Sequence, residues 1–142
     1  MAATGYPSID ATVDRTNRVL KDIEEAYGWP KERRNQSYNA LRAVLHTLRD
    51  RLTVDESAQF AAQLPTLVRG IYYEGWDPSR VPVKMNGDEF LGRIRQEFPY
   101  DIQGGVQPLT QTVLHALRRY VAEGEWEDVK TGLPKEVASI LP

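Results

Sequence analysis

An internal repeat constrains this sequence more than any other feature does. Residues 44–71 and 113–140 align at an offset of 69 without a gap and are identical at 10 of 28 positions, whereas unrelated segments of average composition would share about two. The identical positions of the first copy are Val44, Leu45, His46, Leu48, Arg49, Glu56, Leu64, Pro65, Val68 and Ile71. Upstream the match continues at an offset of 71, where Leu91 follows Leu20. The chain is therefore predicted to contain two copies of one structural unit.

The spacing of the apolar residues indicates that these units are helical. In the predicted second helix, residues 31–52, leucine and valine recur with the 3.6-residue period of an α-helix and form one narrow stripe. Thr53 and Glu56 have the spacing of a capping box, which predicts the start of a third helix. Pro65 should interrupt that helix, because a proline ring clashes with the carbonyl one turn earlier. No segment alternates between apolar and polar residues over enough positions to predict a strand. The predicted fold class is therefore all-α.

The predicted domain organisation is one all-helical domain, residues 1–142, a length that suits a single core. Residues 1–12 are predicted to be an N-terminal tail, and residues 13–76 the first helical repeat. Residues 77–86, which hold two prolines, are the predicted connector, and residues 87–142 the second repeat. We expect two tandem pseudo-repeats of about three helices each, packed as one helical bundle about a pseudo-twofold axis, with the two equivalent second helices in its centre.

Composition argues against several classes of function. A net charge of −2 gives no overall attraction to polyanions, and the absence of cysteine excludes disulfides and thiolate metal sites. The N-terminal residues lack the basic start and apolar run of a secretory signal. No window approaches the ~18 uninterrupted apolar residues that a membrane span needs. We therefore expect a cytoplasmic protein that does not enter a membrane.

Three segments of the first repeat carry a resemblance to a known family: ALRAVLHTLRDRL, AAQLP and LVRGIYYEGWDP. They resemble the bacterial and archaeal family known as domain of unknown function 2267. The resemblance covers nearly the whole chain and is closer in the first repeat, because the second has no equivalent of YYEGW. It implies a tandem of helical units and brings no established activity, substrate, cofactor or catalytic residue.

The only two histidines, His46 and His115, occupy equivalent positions in the two copies. On a helical wheel His46 lies opposite the apolar stripe, beside Arg42, with Arg49 at the edge of the same face. Together with Arg118 these residues could form paired polar faces that bind phosphate or carboxylate, arginine through its fork and histidine through a ring nitrogen. The alternative is a second packing face, on which histidine hydrogen-bonds to backbone and arginine pairs with a carboxylate.

The aromatic run at residues 72–76, YYEGW, is the most unusual local feature. Tyr73 and Trp76 do not share the inward side of their helix, which indicates an exposed anchor for a partner chain, since tyrosine and tryptophan dominate interface hot spots. The alternative is that Trp76 folds back over the end of the helix. Trp29, which also follows a glycine that ends a helix, would do the same.

Motifs for catalysis and metal binding are missing. The sequence has no glycine-rich phosphate loop, no His-Glu-x-x-His helix and no nucleophile elbow. His46 and Asp50 could supply two metal ligands on one helix face, but a tetrahedral site needs at least a third. Basic clusters such as Arg118-Arg119 are diluted by nearby acids, as is typical of a solvated helix face.

The expected function follows from these observations. We expect a non-enzymatic module, without cofactor or metal, that acts through contacts with another protein or with itself. A regulator that binds a small anionic ligand on the histidine and arginine faces is the alternative. A nucleic-acid-binding protein comes third, because the net charge is negative.

Overall fold

The computed structural model describes residues 3–142, in which every regular element is a helix. The α-helices are α1 Pro7–Tyr27, α2 Arg34–Arg51, α3 Val54–Gln63, α4 Thr66–Tyr73, α5 Gly87–Glu97, α6 Val106–Arg118, α7 Glu123–Gly132 and α8 Lys135–Ala138. Two 3-10 helices, Lys31–Arg33 and Pro78–Arg80, precede α2 and α5. The all-α fold class is confirmed.

Helix α1 begins at Pro7, before the predicted first residue of the repeat. Residues 7–12, predicted to be tail, are therefore its first turns, and Met1 and Ala2 lie outside the described residues. Proline is favoured at a first helical position, because its φ is already helical and it lacks the N–H that would have no partner there. Asp10 also accepts hydrogen bonds from the backbone N–H and the hydroxyl of Thr4, at 2.7 and 2.8 Å. These bonds hold the residues that precede the helix against its first turn.

Local sequence signals fix most of the other helix ends. The capping box at the start of α3 is confirmed, since Thr53 Oγ1 accepts from the Glu56 N–H at 3.2 Å and Glu56 accepts in return at 2.9 Å. Asn86 starts α5 with a second capping box. The break before Pro65 is also confirmed, because α3 ends at Gln63 and α4 begins after the proline.

The ends of α3 and α7, the predicted third helix of each half, are related by the offset of 69 residues found in the sequence. Helix α7 begins and ends 69 residues after α3, and α8 begins 69 residues after α4. Both prolines that precede the short helices are extended, with ψ of 146° at Pro65 and 148° at Pro134. The two short helices differ in length, since α4 has 8 residues and α8 has 4.

Helix α2 lies at the centre of the packing and contacts α1, α4, α5 and α6. Helix α1 also packs on α6, and α3 packs on α7. The leucines predicted to line the interior, Leu45, Leu48, Leu114 and Leu117, are all 0% exposed. One continuous apolar core therefore joins both halves of the chain. Among the helices of residues 3–142, none combines the length and the apolar character that a membrane crossing requires.

Candidate binding groove

In the first half of the chain, two predicted site residues hold the end of α4. His46 Nε2 lies 2.7 Å from the carbonyl oxygen of Ile71. Arg49 Nη1 donates to the carbonyls of Tyr72 and Glu74 at 3.1 and 2.7 Å. The last carbonyls of a helix have no partner within the helix, so these side chains supply the missing donors. The packing alternative therefore describes the histidine and arginine of the first half.

The electrostatics of His46 agree with this role. Burial of the ring lowers its pKa, and the nearby guanidinium groups of Arg49 and Arg42 lower it further, while the hydrogen bond to Ile71 opposes them. The ring is thus neutral at neutral pH. Since a carbonyl can only accept, Nε2 carries the proton and donates it.

Asp50 connects this cap to the rest of the structure. One carboxylate oxygen accepts from Arg49 Nε at 2.8 Å and the other from Arg93 Nη2 of α5 at 2.6 Å. Its backbone carbonyl accepts from the N–H of Val83 in the connector at 2.7 Å. The connector therefore crosses the α2–α5 pair and leaves only a cavity of about 360 Å³ beside these residues.

The predicted aromatic anchor lies against the same helix end. The rings of Tyr73 and Trp76 are 5.2 Å apart, and both side chains are half-buried. Trp76 Nε1 is buried without a hydrogen-bond partner among residues 3–142. Arg42, the remaining residue of this predicted face, places its guanidinium 5.8 Å from the centre of the Tyr38 ring. Tyr73 and Trp76 thus lie at the end of α4, whereas Arg42 contacts another residue of α2.

The equivalent residues of the second half have different surroundings. His115 is exposed and makes no hydrogen bond within the described part of the chain. Arg118 pairs with Glu123 at 2.8 Å and lies 5.5 Å above the ring of Trp126. Its side chain is 33% exposed, against 5% for Arg49. The same residue types at the same helix positions therefore hold a helix end in one half, whereas in the other His115 is exposed and Arg118 contacts side chains only.

His115 lines an open groove between α1 and α6, which we call the α1–α6 groove. Its cavity volume is about 1040 Å³. Asp22 and Glu25 of α1 form one wall, Gln111 and His115 of α6 form the other, and Pro142 lies at the end. The sequence indicated the α6 wall but gave no local signal for the α1 wall.

Two ion pairs relate this groove to the region that the connector covers. Arg119 Nη2 lies 2.7 Å from Asp22 and joins α6 to α1, as Asp50 and Arg93 join α2 to α5. Arg119 follows Asp50 by 69 residues, and Arg93 follows Asp22 by 71. These are the two offsets of the internal repeat. At each offset, an acidic residue of one ion pair aligns with a basic residue of the other. By sequence offset, the residues of the ion pair that joins α1 to α6 thus align with those of the pair that joins α5 to α2.

The geometry first defines the class of protein. It is all-helical, and its best-defined cluster of polar side chains binds carbonyl groups of the backbone. Within residues 3–142 no three histidine or acidic side chains cluster closely enough to hold a metal ion. The family described as "Uncharacterized conserved protein (DUF2267)" matches residues 16–140, and the chain belongs to that family. No curated protein matches the chain. The family resemblance carried by the first repeat is thereby confirmed.

Proposed function

We propose that this protein is a non-enzymatic protein-interaction module, and that the α1–α6 groove is where it receives a segment of its partner. One observation carries the proposal. A histidine and an arginine on α2 hold a polypeptide segment in the first half, while their counterparts His115 and Arg118 on α6 border an open groove. His115 is exposed and the Arg118–Glu123 pair is partly exposed, so both side chains are suited to bind a segment from another molecule.

We also propose that the two halves are copies of one helical unit related by a pseudo-twofold axis. Three facts support this arrangement: α3 and α7 have the same length at an offset of 69, the equivalent helices α2 and α6 pack on each other, and the ion pairs that join α1 to α6 and α5 to α2 fall on corresponding residues. The lack of enzymatic activity and a cytoplasmic location stay predictions from the sequence.

The charge in the groove favours a peptide over a small anion. Arg119 is already paired with Asp22, Arg118 with Glu123, and the carboxylate of Glu25 adds a further negative charge to the wall. A free anion would meet two carboxylates on the α1 side. Neutral carbonyl oxygens can accept from His115 and Arg118 without that repulsion.

A photo-crosslinking experiment tests the proposed function. We would place p-benzoylphenylalanine at Glu25 on the α1 wall of the groove and, as the control, at exposed Gln59 on α3, in the organism that encodes the protein. The expected result is a discrete protein adduct from position 25 only, which disappears when Gln111→Trp fills the groove. The captured protein, once purified, should bind the unmodified chain and lose about tenfold in affinity against the variant with His115→Ala and Arg118→Ala, if two hydrogen bonds are lost. Identical products at both positions would refute the proposal.

A further inference from the structure

We infer that the cavity between the connector, α2 and α5 binds a small oxyanion of the phosphate class, at a site separate from the α1–α6 groove. The cavity is lined by three arginines, Arg49 of α2, Arg80 of the connector and Arg93 of α5, together with Asp50 and Asp77. Its volume of about 360 Å³ is near the lower end of the range for small-molecule sites, about 300–1,000 Å³. The lining therefore carries more positive than negative charge around a space that suits a small ligand.

The two carboxylates of this cavity are already bonded to groups of the protein. Asp50 accepts from Arg49 Nε through one oxygen and from Arg93 Nη2 through the other, at 2.8 and 2.6 Å. Asp77 Oδ1 accepts from the backbone N–H and the hydroxyl of Ser79, at 3.0 and 2.6 Å. Asp50 thus places two guanidinium groups side by side, and the carboxylate of Asp77 stabilises the turn of the connector instead of pairing with an arginine.

The guanidinium groups, in contrast, keep donors that have no partner. The side chain of Arg49 is 5% exposed, and its Nε and Nη1 are bonded, but its Nη2 makes no hydrogen bond within residues 3–142. Arg93 uses only Nη2 in the same part of the chain. Arg80 is exposed and its side chain makes no hydrogen bond or ion pair with any described residue. An oxyanion accepts several hydrogen bonds at once, and arginine binds phosphate through pairs of them.

The connector holds the third arginine at this cavity. Val83 donates its N–H to the carbonyl of Asp50 at 2.7 Å, and Arg80 is the last residue of the 3-10 helix Pro78–Arg80. Three positive charges around one small space repel one another, and a bound anion would offset that repulsion. Since the three arginines belong to α2, α5 and the segment between the halves, the anion would bridge these parts of the chain.

Titration of inorganic phosphate into the full chain, followed by NMR at an ionic strength kept constant with potassium chloride, tests the inference. The backbone amide signals of Gly75, Val81 and Val83 should shift, and those of α3 and α7 should not. Arg80→Ala should lower the affinity for phosphate at least about tenfold, because hydrogen bonds to a charged group are lost. Arg33→Ala is the matched control and should bind as the unaltered chain does. Arg33 is also exposed, ends the other 3-10 helix and makes no side-chain hydrogen bond within residues 3–142.

A second ligand identifies the source of the phosphate group. Tighter binding of glycerol 3-phosphate than of phosphate would support the inference with a phosphate ester as the ligand, and weaker binding would support it with the free anion. Equal affinity of the Arg80→Ala and Arg33→Ala variants would overturn the inference, because the loss of any surface charge would then have the same effect. Absence of phosphate binding to the unaltered chain would overturn it as well.

Discussion

His46 and His115 occupy the same position in the two halves of the chain and have opposite surroundings. His46 is half-buried and holds the carbonyl of Ile71, whereas His115 is exposed at the wall of the α1–α6 groove. The arginines three residues later differ in the same way. The comparison teaches that the same pair of side chains can hold backbone groups in one half and lack that role in the other, because the difference lies in what covers them.

The comparison predicts its largest effect at the arginines. Arg49→Ala removes bonds to two carbonyls and to Asp50 from a buried position, so we expect the free energy of unfolding to fall by about 3 kcal/mol. Arg118→Ala removes one partly exposed ion pair and the contact with the Trp126 ring, and should cost about 1 kcal/mol. Urea denaturation of both variants checks this, and equal losses would contradict the assigned roles.

The histidines should follow the same order with smaller effects. His46→Ala leaves the Ile71 carbonyl without its donor and should lower the free energy of unfolding by about 1–2 kcal/mol. His115→Ala should change it by less than about 0.5 kcal/mol, as is usual for a surface position. Thermal unfolding followed by circular dichroism would measure both. A loss at His115 as large as that at His46 would show that the second histidine is also part of the packing.

Exchanging the charges of the Asp22–Arg119 pair sharpens the comparison between the α1–α6 and α2–α5 interfaces. Asp22→Arg alone removes the partner of both Arg18 and Arg119 and places three arginines together, so it should cost about 1 kcal/mol, since both pairs are partly exposed. Combining it with Arg119→Asp gives α1–α6 the charge order of the α2–α5 interface and should recover most of the loss. Double-mutant cycles in urea provide the coupling energy. Absence of any recovery would mean that the two interfaces are not equivalent.

The smallest expected effect is on the pH dependence of stability. The pKa of His46 is lowered in the folded state, so the unfolded chain binds a proton there more readily than the folded chain does. The stability that the neutral ring contributes is therefore present above the unfolded pKa of about 6.5 and is lost as the pH falls below it. His46→Gln should flatten the profile of unfolding free energy between about pH 7.5 and 5.5, and urea denaturation at several pH values would measure it.

Much of the fold could be predicted because its signals are local. The capping box of Thr53 and Glu56 and the break at Pro65 depend on residues within one or two helical turns, and the structure has both. The start of α1 was predicted too late, because the apolar period begins at Val13 while Pro7 opens the helix. The spacing of apolar residues gives no signal for this first turn, because the residues of the turn are mostly exposed.

The site was harder to predict because it depends on distant parts of the chain. Whether His46 and Arg49 are free is decided by the end of α4, which lies more than twenty residues further along the chain. Asp22 and Arg119 are 97 residues apart, and no local pattern connects them. The one available signal was the repeat itself, which aligns each member of this pair with a residue of opposite charge.

The exchanged ion pairs have a consequence for how two similar halves assemble correctly. If the halves are copies, as proposed, α1 and α5 could each dock on the wrong partner, a common error in chains built from repeats. With α1 docked in the place of α5, Asp22 would face Asp50, and with α5 in the place of α1, Arg93 would face Arg119. Both arrangements bring like charges together, and only the native one gives each of the four charged residues a partner of opposite charge. The reversed order of charge thus distinguishes the docking site of α1 from that of α5.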